Sequence, residues 1–329
     1  MPETQLPLLG CRPPHRPTIR EIADSVARHG LDGLPSPIRL GRDRTYQEIQ
    51  CKSALNRTRG MPFQWTLNPY RGCTHGCHYC FARKYQTQLE LGSGDDFSKV
   101  ILIKVNFPTV LNQELSKISQ NARPEQTYQL VTIGTATDPY QPIEGRYQLT
   151  RQTLKTFLNH PTPVHLITKG PMIVRDKDVI VELSKYTEVT VCMSVPSVDE
   201  EGWKKLEPGT AHPLQRLRAV RALRDAGINA GVLMAPIVPG ITSHPTKIER
   251  TIKAISEHGA NYLGSSVMHL EGGTRKHFMK FLKTEFPHLV EGYGRLYAGK
   301  YATGAYQRQV KNILKALRER PGSARPEIR

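Results

Sequence analysis

The sequence predicts an α/β fold: a parallel β/α barrel, partial and of the TIM type, with a basic N-terminal arm and a C-terminal helical extension. Two observations predict it. Short apolar runs alternate with amphipathic segments along the middle of the chain, which is typical of repeated strand–helix units. Several apolar runs are nearly continuous in Val, Ile and Leu, as expected for parallel strands that are buried on both faces.

Seven strands are predicted from the apolar runs. They are Gln64–Leu67, Val100–Val105, Gln129–Thr135, Val164–Thr168, Glu188–Ser194, Asn229–Ala235 and Asn261–Met268. Repeated strand–helix units imply right-handed crossovers, so we expect these strands to lie in one parallel barrel. The working residues of such barrels follow the C-terminal ends of the strands.

The amphipathic segments between the strands predict the helices Thr109–Gln120, Gln148–Asn159, Lys177–Lys185, Leu214–Ala226 and Lys247–His258. In the first 60 residues the only predicted helix is Thr18–His29, and the rest is expected to be an extended arm. The amphipathic stretch Thr274–Leu296 is expected to pack against the barrel. The chain is therefore divided into an arm at 1–60, a barrel at 61–270 and a helical extension with a basic tail at 271–329.

The charge of the chain indicates an anionic partner. Its 329 residues include 46 Lys and Arg against 29 Asp and Glu, a net charge of +17, and residues 295–329 carry nine basic against two acidic residues. A phosphate backbone is the usual partner for such a balance. No stretch approaches the roughly 20 apolar residues that span a bilayer, and the N-terminus has no apolar signal-peptide core. We therefore expect a cytoplasmic protein without a membrane partner.

Three of the six cysteines crowd into one short segment. Cys73, Cys77 and Cys80 have the spacing Cys-x3-Cys-x2-Cys, and three thiolates on one turn hold three irons of a [4Fe–4S] cube. No fourth cysteine is near, so one iron would stay open for an exogenous ligand. The alternatives are a structural zinc site completed by His75 or His78, or three buried thiols. The spacing favours the iron–sulfur cluster.

This cysteine motif, directly after the first strand of a β/α barrel, resembles the radical S-adenosylmethionine (SAM) superfamily. Further stretches resemble its spore photoproduct lyase-like branch. They are Gly134–Glu144, Ile167–Lys169, Ser194–Pro196, Glu207–Pro208 with Arg216, and Ala235–Gly240.

The resemblance implies that a [4Fe–4S] cluster is held by Cys73, Cys77 and Cys80, with SAM at the open iron. One electron, from a donor such as flavodoxin or ferredoxin, would cleave SAM to a 5′-deoxyadenosyl radical that takes hydrogen from the substrate. The implied cofactor-binding residues are Lys169 at the SAM carboxylate, Thr137 near the methionyl group, Ser194 near the ribose, Phe81 beside the adenine, and Asp138 in the pocket wall.

The sequence departs from the true lyase at two positions. Thr135 stands where the lyase has a hydrogen-donating cysteine, and Phe81 stands where it has a relay tyrosine. A hydroxyl O–H bond is too strong to replace the thiol as donor. Tyr79 and Cys192 are therefore the candidate catalytic residues, although Cys192 is also read as an ordinary buried thiol. These departures argue against the same thymine-dimer repair but not against SAM cleavage.

The first functional hypothesis is a radical SAM enzyme that acts on a nucleic-acid lesion or modified base, with DNA favoured over RNA. A base inside a duplex would have to be flipped out. Basic residues of the tail would hold phosphates; they are Arg308, Lys311, Lys315, Arg318 and Arg320. The alternatives are a radical SAM enzyme that acts on a small metabolite or a protein side chain, and a non-catalytic protein that binds zinc or nucleic acid.

Overall fold

The computed structural model describes residues 16–34, 37–39, 44–58, 61, 63–121 and 129–319. Its strands, in chain order, are β1 (Ile38–Arg39), β2 (Thr45–Ile49), β3 (Asn56–Arg57), β4 (Trp65–Leu67), β5 (Tyr70–Arg71), β6 (Val100–Lys104), β7 (Val131–Ile133), β8 (Val164–Thr168), β9 (Val189–Ser194), β10 (Asn229–Ile237) and β11 (Leu263–Val267).

The helices of the described residues, also in chain order, are α1 (Ile19–His29), α2 (Asp96–Lys99), α3 (Phe107–Asn121), α4 (Glu144–Tyr147), α5 (Leu149–Asn159), α6 (Lys177–Ser184), α7 (Glu200–Leu206), α8 (Pro213–Asp225), α9 (Pro245–Glu257), α10 (Gly272–Glu285), α11 (Val290–Leu296) and α12 (Gly304–Glu319). Short 3₁₀ helices span Gly30–Gly33, Phe81–Leu89, Pro171–Asp176 and Pro287–Leu289. The predicted helix Thr18–His29 and the five predicted between the strands are confirmed within two residues at each end.

The larger sheet has the order β11-β10-β9-β8-β7-β4-β3. All neighbours from β4 to β11 pair in parallel, and β3 pairs antiparallel with β4 at the edge. Helices follow most of its parallel strands, as right-handed crossover connections require. This sheet is the predicted partial β/α barrel, and six of the seven predicted strands lie in it.

The remaining predicted strand, Val100–Val105, lies outside this sheet. The prediction that it belongs to the barrel is therefore wrong. The strand β6 belongs to a separate sheet of order β1-β2-β6-β5, in which β2 and β6 are parallel. The prediction of an extended arm is likewise wrong for Thr45–Ile49, which forms β2. A fully apolar run shows that a strand is buried on both faces but does not show which sheet receives it.

The main core lies between the barrel sheet and the helices that cover it. It joins the helix-facing residues of the strands, such as Val131, Leu166 and Val191, to helix residues such as Leu154 and Leu217, all with at most 2% of their surface exposed. Burying each such side chain contributes about 1.5–3 kcal/mol of transfer free energy. This packing fixes the positions of the strand ends that carry the site.

The C-terminal extension packs beside the cysteine segment. The 3₁₀ helix that begins at Pro287 separates α10 from α11. Phe278 of α10 and Tyr293 of α11 belong to an apolar cluster that also contains Cys77 and Tyr79. The prediction that Thr274–Leu296 packs against the barrel is confirmed by this cluster. No helix in the described ranges is long and apolar enough to cross a membrane.

Candidate functional site

A cavity of about 320 Å³ lies at the C-terminal ends of the barrel strands. Its wall joins the cysteine segment to the ends of strands β7 to β11, as expected for a β/α barrel. Every site residue predicted from the sequence except Cys192 lines it: Cys73, Cys77, Tyr79, Cys80, Phe81, Thr137, Asp138, Lys169 and Ser194. We call this the central cavity.

The cysteine segment is folded tightly by two glycines. Gly72 and Gly76 have φ angles of +79° and +61°, which L side chains rarely adopt. A Cβ atom on Gly72 would lie 2.4 Å from the carbonyl oxygen of Val100. The hydroxyl of Thr137 donates to the Gly72 carbonyl at 2.5 Å. Backbone sterics and this hydrogen bond therefore hold Cys73 at the cavity wall.

The three thiols lie close enough to influence one another electrostatically. Burial raises the pKa of Cys73 well above its usual value, and the neighbouring Cys77 and Cys80 raise it further. Burial likewise raises the pKa of Cys77 to about 12 and that of Cys80 above its usual range. Three soft sulfur donors, held protonated until a metal displaces their protons, fit an iron–sulfur cluster.

The donor set fits a zinc ion less well. One ring nitrogen of His75, Nδ1, lies 3.3 Å from Asp138 Oδ2, and Nδ1 of His78 hydrogen bonds with Nε2 of His277 at 3.0 Å. Within the described residues, no three His, Cys, Asp or Glu side chains are arranged around a single-ion position. A cube has a different requirement, because each thiolate binds its own iron.

A buried cation, Arg83, holds the cysteine segment, and no motif in the sequence pointed to it. Arg83 is 2% exposed. Its guanidinium donates to the carbonyls of Gly76 at 2.5 Å and Cys77 at 2.9 Å, and to those of Ser93 and Gly94. Burial lowers the pKa of Arg83, and the three nearby cysteines oppose this shift. Arg83 therefore supplies positive charge where a cluster's negative charge would lie.

Asp138 connects the cysteine segment to the end of strand β8. Its carboxylate accepts hydrogen bonds from the Thr168 hydroxyl at 2.6 Å, the Lys169 amide at 2.7 Å and the Tyr140 amide at 2.9 Å. Burial opposes ionisation, but His75 and these donors lower the pKa of Asp138 to about 2. Asp138 is thus an ionised carboxylate whose oxygens are already occupied by the protein.

Lys169 projects into the central cavity from the end of β8. Its Nζ donates to Ser194 Oγ at 2.6 Å and pairs with Glu207 Oε1 at 2.9 Å. The ammonium also lies 5.6 Å from the centre of the Tyr79 ring. An ammonium has three N–H donors, so one remains for a ligand in the cavity.

Glu207 and Arg216 form a buried ion pair, and the carboxylate of this pair also contacts Lys169. Arg216 is fully buried and donates to Glu207 Oε2 at 2.5 Å, to Thr210 Oγ1 at 2.6 Å and to the Ser194 carbonyl at 3.0 Å. Burial opposes ionisation of Glu207, but Arg216 and Lys169 lower its pKa to about 2. The sequence singled out Glu207 and Arg216 only as matching stretches and gave them no role.

Tyr79, a predicted catalytic residue, lines the central cavity, but its hydroxyl is already engaged. The hydroxyl donates to Glu207 Oε1. Burial and the nearby Glu207 carboxylate hold the pKa of Tyr79 well above its usual value. Tyr79 is therefore a neutral phenol fixed by a carboxylate.

The two positions that depart from the lyase lie together at one side of the central cavity. Thr135 Oγ1 contacts the Thr66 hydroxyl and accepts from Asn68 Nδ2 at 3.3 Å. The Phe81 ring lies 6.0 Å from the His269 ring. Both Thr135 and Phe81 also line a second, adjoining cavity.

Cys192 is the one predicted site residue that does not line the central cavity. It lies on β9, two residues before Ser194, and is 3% exposed. Burial raises the pKa of its thiol to about 12, and the thiol hydrogen bonds with Tyr262. The structure does not bring Cys192 together with the other predicted residues.

The basic tail is described in part. Arg308, Lys311 and Lys315 lie on α12 with exposed side chains. The side chain of Arg318, and the whole of Arg320, lie outside what the structure describes. These three basic residues therefore lie on the surface of this helix.

Comparison with known proteins gives three findings. The model of the radical SAM superfamily matches residues 67–255. An uncharacterised protein of Mycobacterium tuberculosis is 36% identical over 317 residues, covering 91% of this chain and 92% of its own length. A radical SAM Nα-GlyT isomerase of Pseudomonas phage M6 is 25% identical over 201 residues, covering 59% of this chain and 37% of its own.

The fold is also that of a solved structure. A spore photoproduct lyase variant with bound AdoMet and dinucleoside spore photoproduct superposes with a TM-score of 0.66 at 15% identity. The superposition covers 94% of this chain and 92% of the lyase. At this identity the likeness concerns the fold.

Proposed function

Because this chain belongs to the radical SAM superfamily, whose enzymes use a [4Fe–4S] cluster and SAM, we propose that Cys73, Cys77 and Cys80 hold the cluster. The central cavity then holds SAM. The observation that carries the proposal is the position of these three thiols on the cavity wall that also carries Lys169 and Ser194.

The chemistry supplied by the bound cofactors is a one-electron cleavage of SAM to a 5′-deoxyadenosyl radical that abstracts hydrogen from the substrate. The chain's own residues bind and orient. Lys169 offers its remaining N–H to the SAM carboxylate as a point charge, and Glu207 holds that ammonium in place. Ser194, which lines the same cavity, would hold the ribose.

The other predicted residues have different tasks in this proposal. Phe81 offers an aromatic face to the adenine. Asp138 and Thr137 act as positioning residues, because their polar atoms already bond to His75, Thr168 and the Gly72 carbonyl.

We propose a nucleic-acid lesion or modified base as the substrate, with DNA favoured over RNA. The support is the net charge of +17 and the exposed basic residues on α12. The solved lyase with the same fold carries a dinucleoside photoproduct. Flavodoxin or ferredoxin would be the physiological electron donor, in the cytoplasm.

One observation favours a second candidate. Thr135 and Phe81 replace the thiol and phenol with which the lyase returns hydrogen to its product, and Thr135 is bonded to other polar side chains. A different radical fate, on a small metabolite or a protein side chain, is therefore the alternative.

Anaerobic reconstitution tests the class of enzyme. The wild-type chain should bind about four irons, turn brown, and form 5′-deoxyadenosine from SAM and dithionite. Cys77→Ala should lose the colour and the product. Cys51→Ala is the matched control, because Cys51 is buried but does not line the central cavity. Zinc in place of iron, or intact SAM, would overturn the proposal.

Deuterated substrates test the substrate class. Transfer of deuterium into 5′-deoxyadenosine from a damaged or modified oligonucleotide would identify nucleic acid as the partner. Transfer only from a small metabolite or a peptide would favour the second candidate. Absence of binding to DNA and RNA at low salt would exclude the first, because backbone contacts are strongest there.

A further inference from the structure

A second cavity adjoins the central cavity and differs from it in charge. It has a volume of about 790 Å³, and we call it the side cavity. It shares Phe81, Thr135 and His269 with the central cavity. Its basic lining residues in the described part of the chain are Arg57, Arg71, Lys84, Lys104 and Lys300, and Glu271 is the one acidic residue among the described lining residues.

Glu271 does not neutralise this wall, because it pairs with Lys84 at 2.9 Å. The remaining cations include two that are removed from bulk water. Lys104 has a side chain that is 8% exposed. Arg71 is half-buried, and its Nε is a buried donor with no acceptor among the residues that the structure describes.

Neutral groups hold these two cations. Lys104 Nζ donates to the Asn68 carbonyl at 2.7 Å and lies 5.4 Å from the centre of the Phe107 ring. Arg71 Nη2 donates to the Tyr85 carbonyl and to Gln88 Oε1 at 3.0 Å. Carbonyls, an amide and a ring orient the charges but do not neutralise them.

The two charges also oppose each other. Burial lowers the pKa of Lys104 to about 8, and the positive charge of Arg71 contributes to the lowering. Buried charge is destabilising unless it is paired, so the fold maintains an unfavourable arrangement that an anion would relieve.

We propose that the side cavity binds a phosphate ester of the substrate between Arg71 and Lys104. This inference rests on the proposed function and adds the substrate's charged group to it. The guanidinium of Arg71 is a planar fork that suits phosphate oxygens, and Lys104 supplies a point charge.

The position of the site suits a substrate that reaches from one cavity to the other. The aromatic side chains Phe63, Phe81 and Tyr85 line the side cavity and provide faces on which a base stacks. From an anchored phosphate, the rest of the molecule passes Phe81 and Thr135 into the central cavity, where the hydrogen atom is taken.

Calorimetric titration of the full chain, with and without the reconstituted cluster, tests the site. The ligands are thymidine 5′-monophosphate, thymidine and glycerol 3-phosphate at low salt. Thymidine should bind at least about tenfold more weakly than its monophosphate. Tighter binding of the nucleotide than of glycerol phosphate identifies a nucleotide source, and equal binding identifies a small phosphate ester. No binding of either phosphate would overturn the proposal.

Variants locate the binding. Lys104→Met and Arg71→Gln should each weaken binding of the monophosphate at least about tenfold. Lys155→Met is the matched control, because Lys155 is exposed on α5 and does not line the side cavity. Unchanged affinity in both cavity variants would overturn the proposal.

Two further measurements separate the possible failures. Lys104→Met should melt no lower than the wild type, since it removes a buried charge, so lost binding would not reflect unfolding. Titration needs neither SAM nor electrons. A chain that binds phosphate but never forms a cluster would refute the proposed function and leave the anion site standing.

Discussion

The Glu207 carboxylate lies 2.9 Å from the Lys169 ammonium, at the floor of the central cavity. The same carboxylate accepts hydrogen bonds from Tyr79 and Arg216. Four groups from three parts of the chain are thus held together before any ligand arrives. Lys169 is therefore oriented in advance, which lowers the entropy lost when a ligand binds in the central cavity.

Lys169→Met should weaken SAM binding about tenfold to a hundredfold, the effect expected when a charge-assisted hydrogen bond is lost. Iron content should stay at the wild-type level, because Lys169 is not a cluster ligand. Equilibrium SAM binding to the reconstituted protein measures the effect, with Lys155→Met as the charge-matched control. Equal SAM affinity in the two variants would contradict the assignment of Lys169.

Glu207→Gln should remove part of the pH dependence of stability. The folded-state pKa of Glu207 is lowered from 4.5 to about 2, so its contribution is present above pH 4.5 and is lost as the pH falls towards 2. A shift of this size corresponds to about 3 kcal/mol. The measurement is urea unfolding of wild type and variant at several pH values in this window. If the free energy of unfolding depends on pH in the same way in both proteins, Glu207 is not stabilised as an anion.

Arg83→Gln should make the cluster harder to reduce, because a buried positive charge beside the cysteine segment favours the more negative reduced state. We expect the midpoint potential to fall by on the order of 60 mV, a tenfold change in a one-electron equilibrium. Redox titration followed by electron paramagnetic resonance measures it. Arg218→Gln, at an exposed position of α8, is the control and should leave the potential unchanged.

Cys192→Ala should leave formation of 5′-deoxyadenosine within about twofold of wild type, since Cys192 does not line the central cavity. Loss of the thiol from a buried strand should instead lower stability by about 1 kcal/mol. Product analysis with the identified substrate decides the remaining role. If the substrate radical accumulates or is diverted in this variant, Cys192 is the hydrogen donor after all.

Binding of thymidine 5′-monophosphate should weaken as the pH rises above about 8. The pKa of Lys104 in the free protein is about 8, so its cationic form, which attracts phosphate, is lost above that pH. The groups that act on Lys104 are Arg71, which stays charged, and the Cys51 thiol, whose pKa is raised by burial. Titrations between pH 6.5 and 9.5 should show the decline in wild type and not in Lys104→Met.

The cysteine spacing and the buried strands were predictable because each is a local pattern. The motif Cys73–Cys80 indicates a cluster by its spacing alone, and runs such as Val164–Thr168 indicate strands by continuous burial. The separate sheet of β6 was not predictable, since an apolar run carries no information about its pairing partner. Arg83 was missed for a similar reason: one arginine among many in a basic chain has no local signature.

The alternation of side chains along a strand does not show by itself whether Cys192 reaches the central cavity. Cys192 shares a strand face with Ser194, so the sequence places both on the inner side of the barrel. Depth along the barrel then separates them, because Tyr262 hydrogen bonds with the thiol while Ser194 lines the central cavity. Packing against Tyr262, which is far from Cys192 in sequence, therefore decides which side chain of β9 reaches the central cavity.

The pairing of Thr45–Ile49 with Val100–Lys104 has a consequence for shortening the chain. The Val100 carbonyl oxygen packs closely against Gly72. The Phe97 carbonyl accepts a hydrogen bond from the Cys73 amide. A version that begins at residue 61 would leave an unpaired edge of β6 directly behind the cysteine segment. Strand β2 thus supports the cysteine segment through its pairing with β6, and a shortened protein has to keep β2.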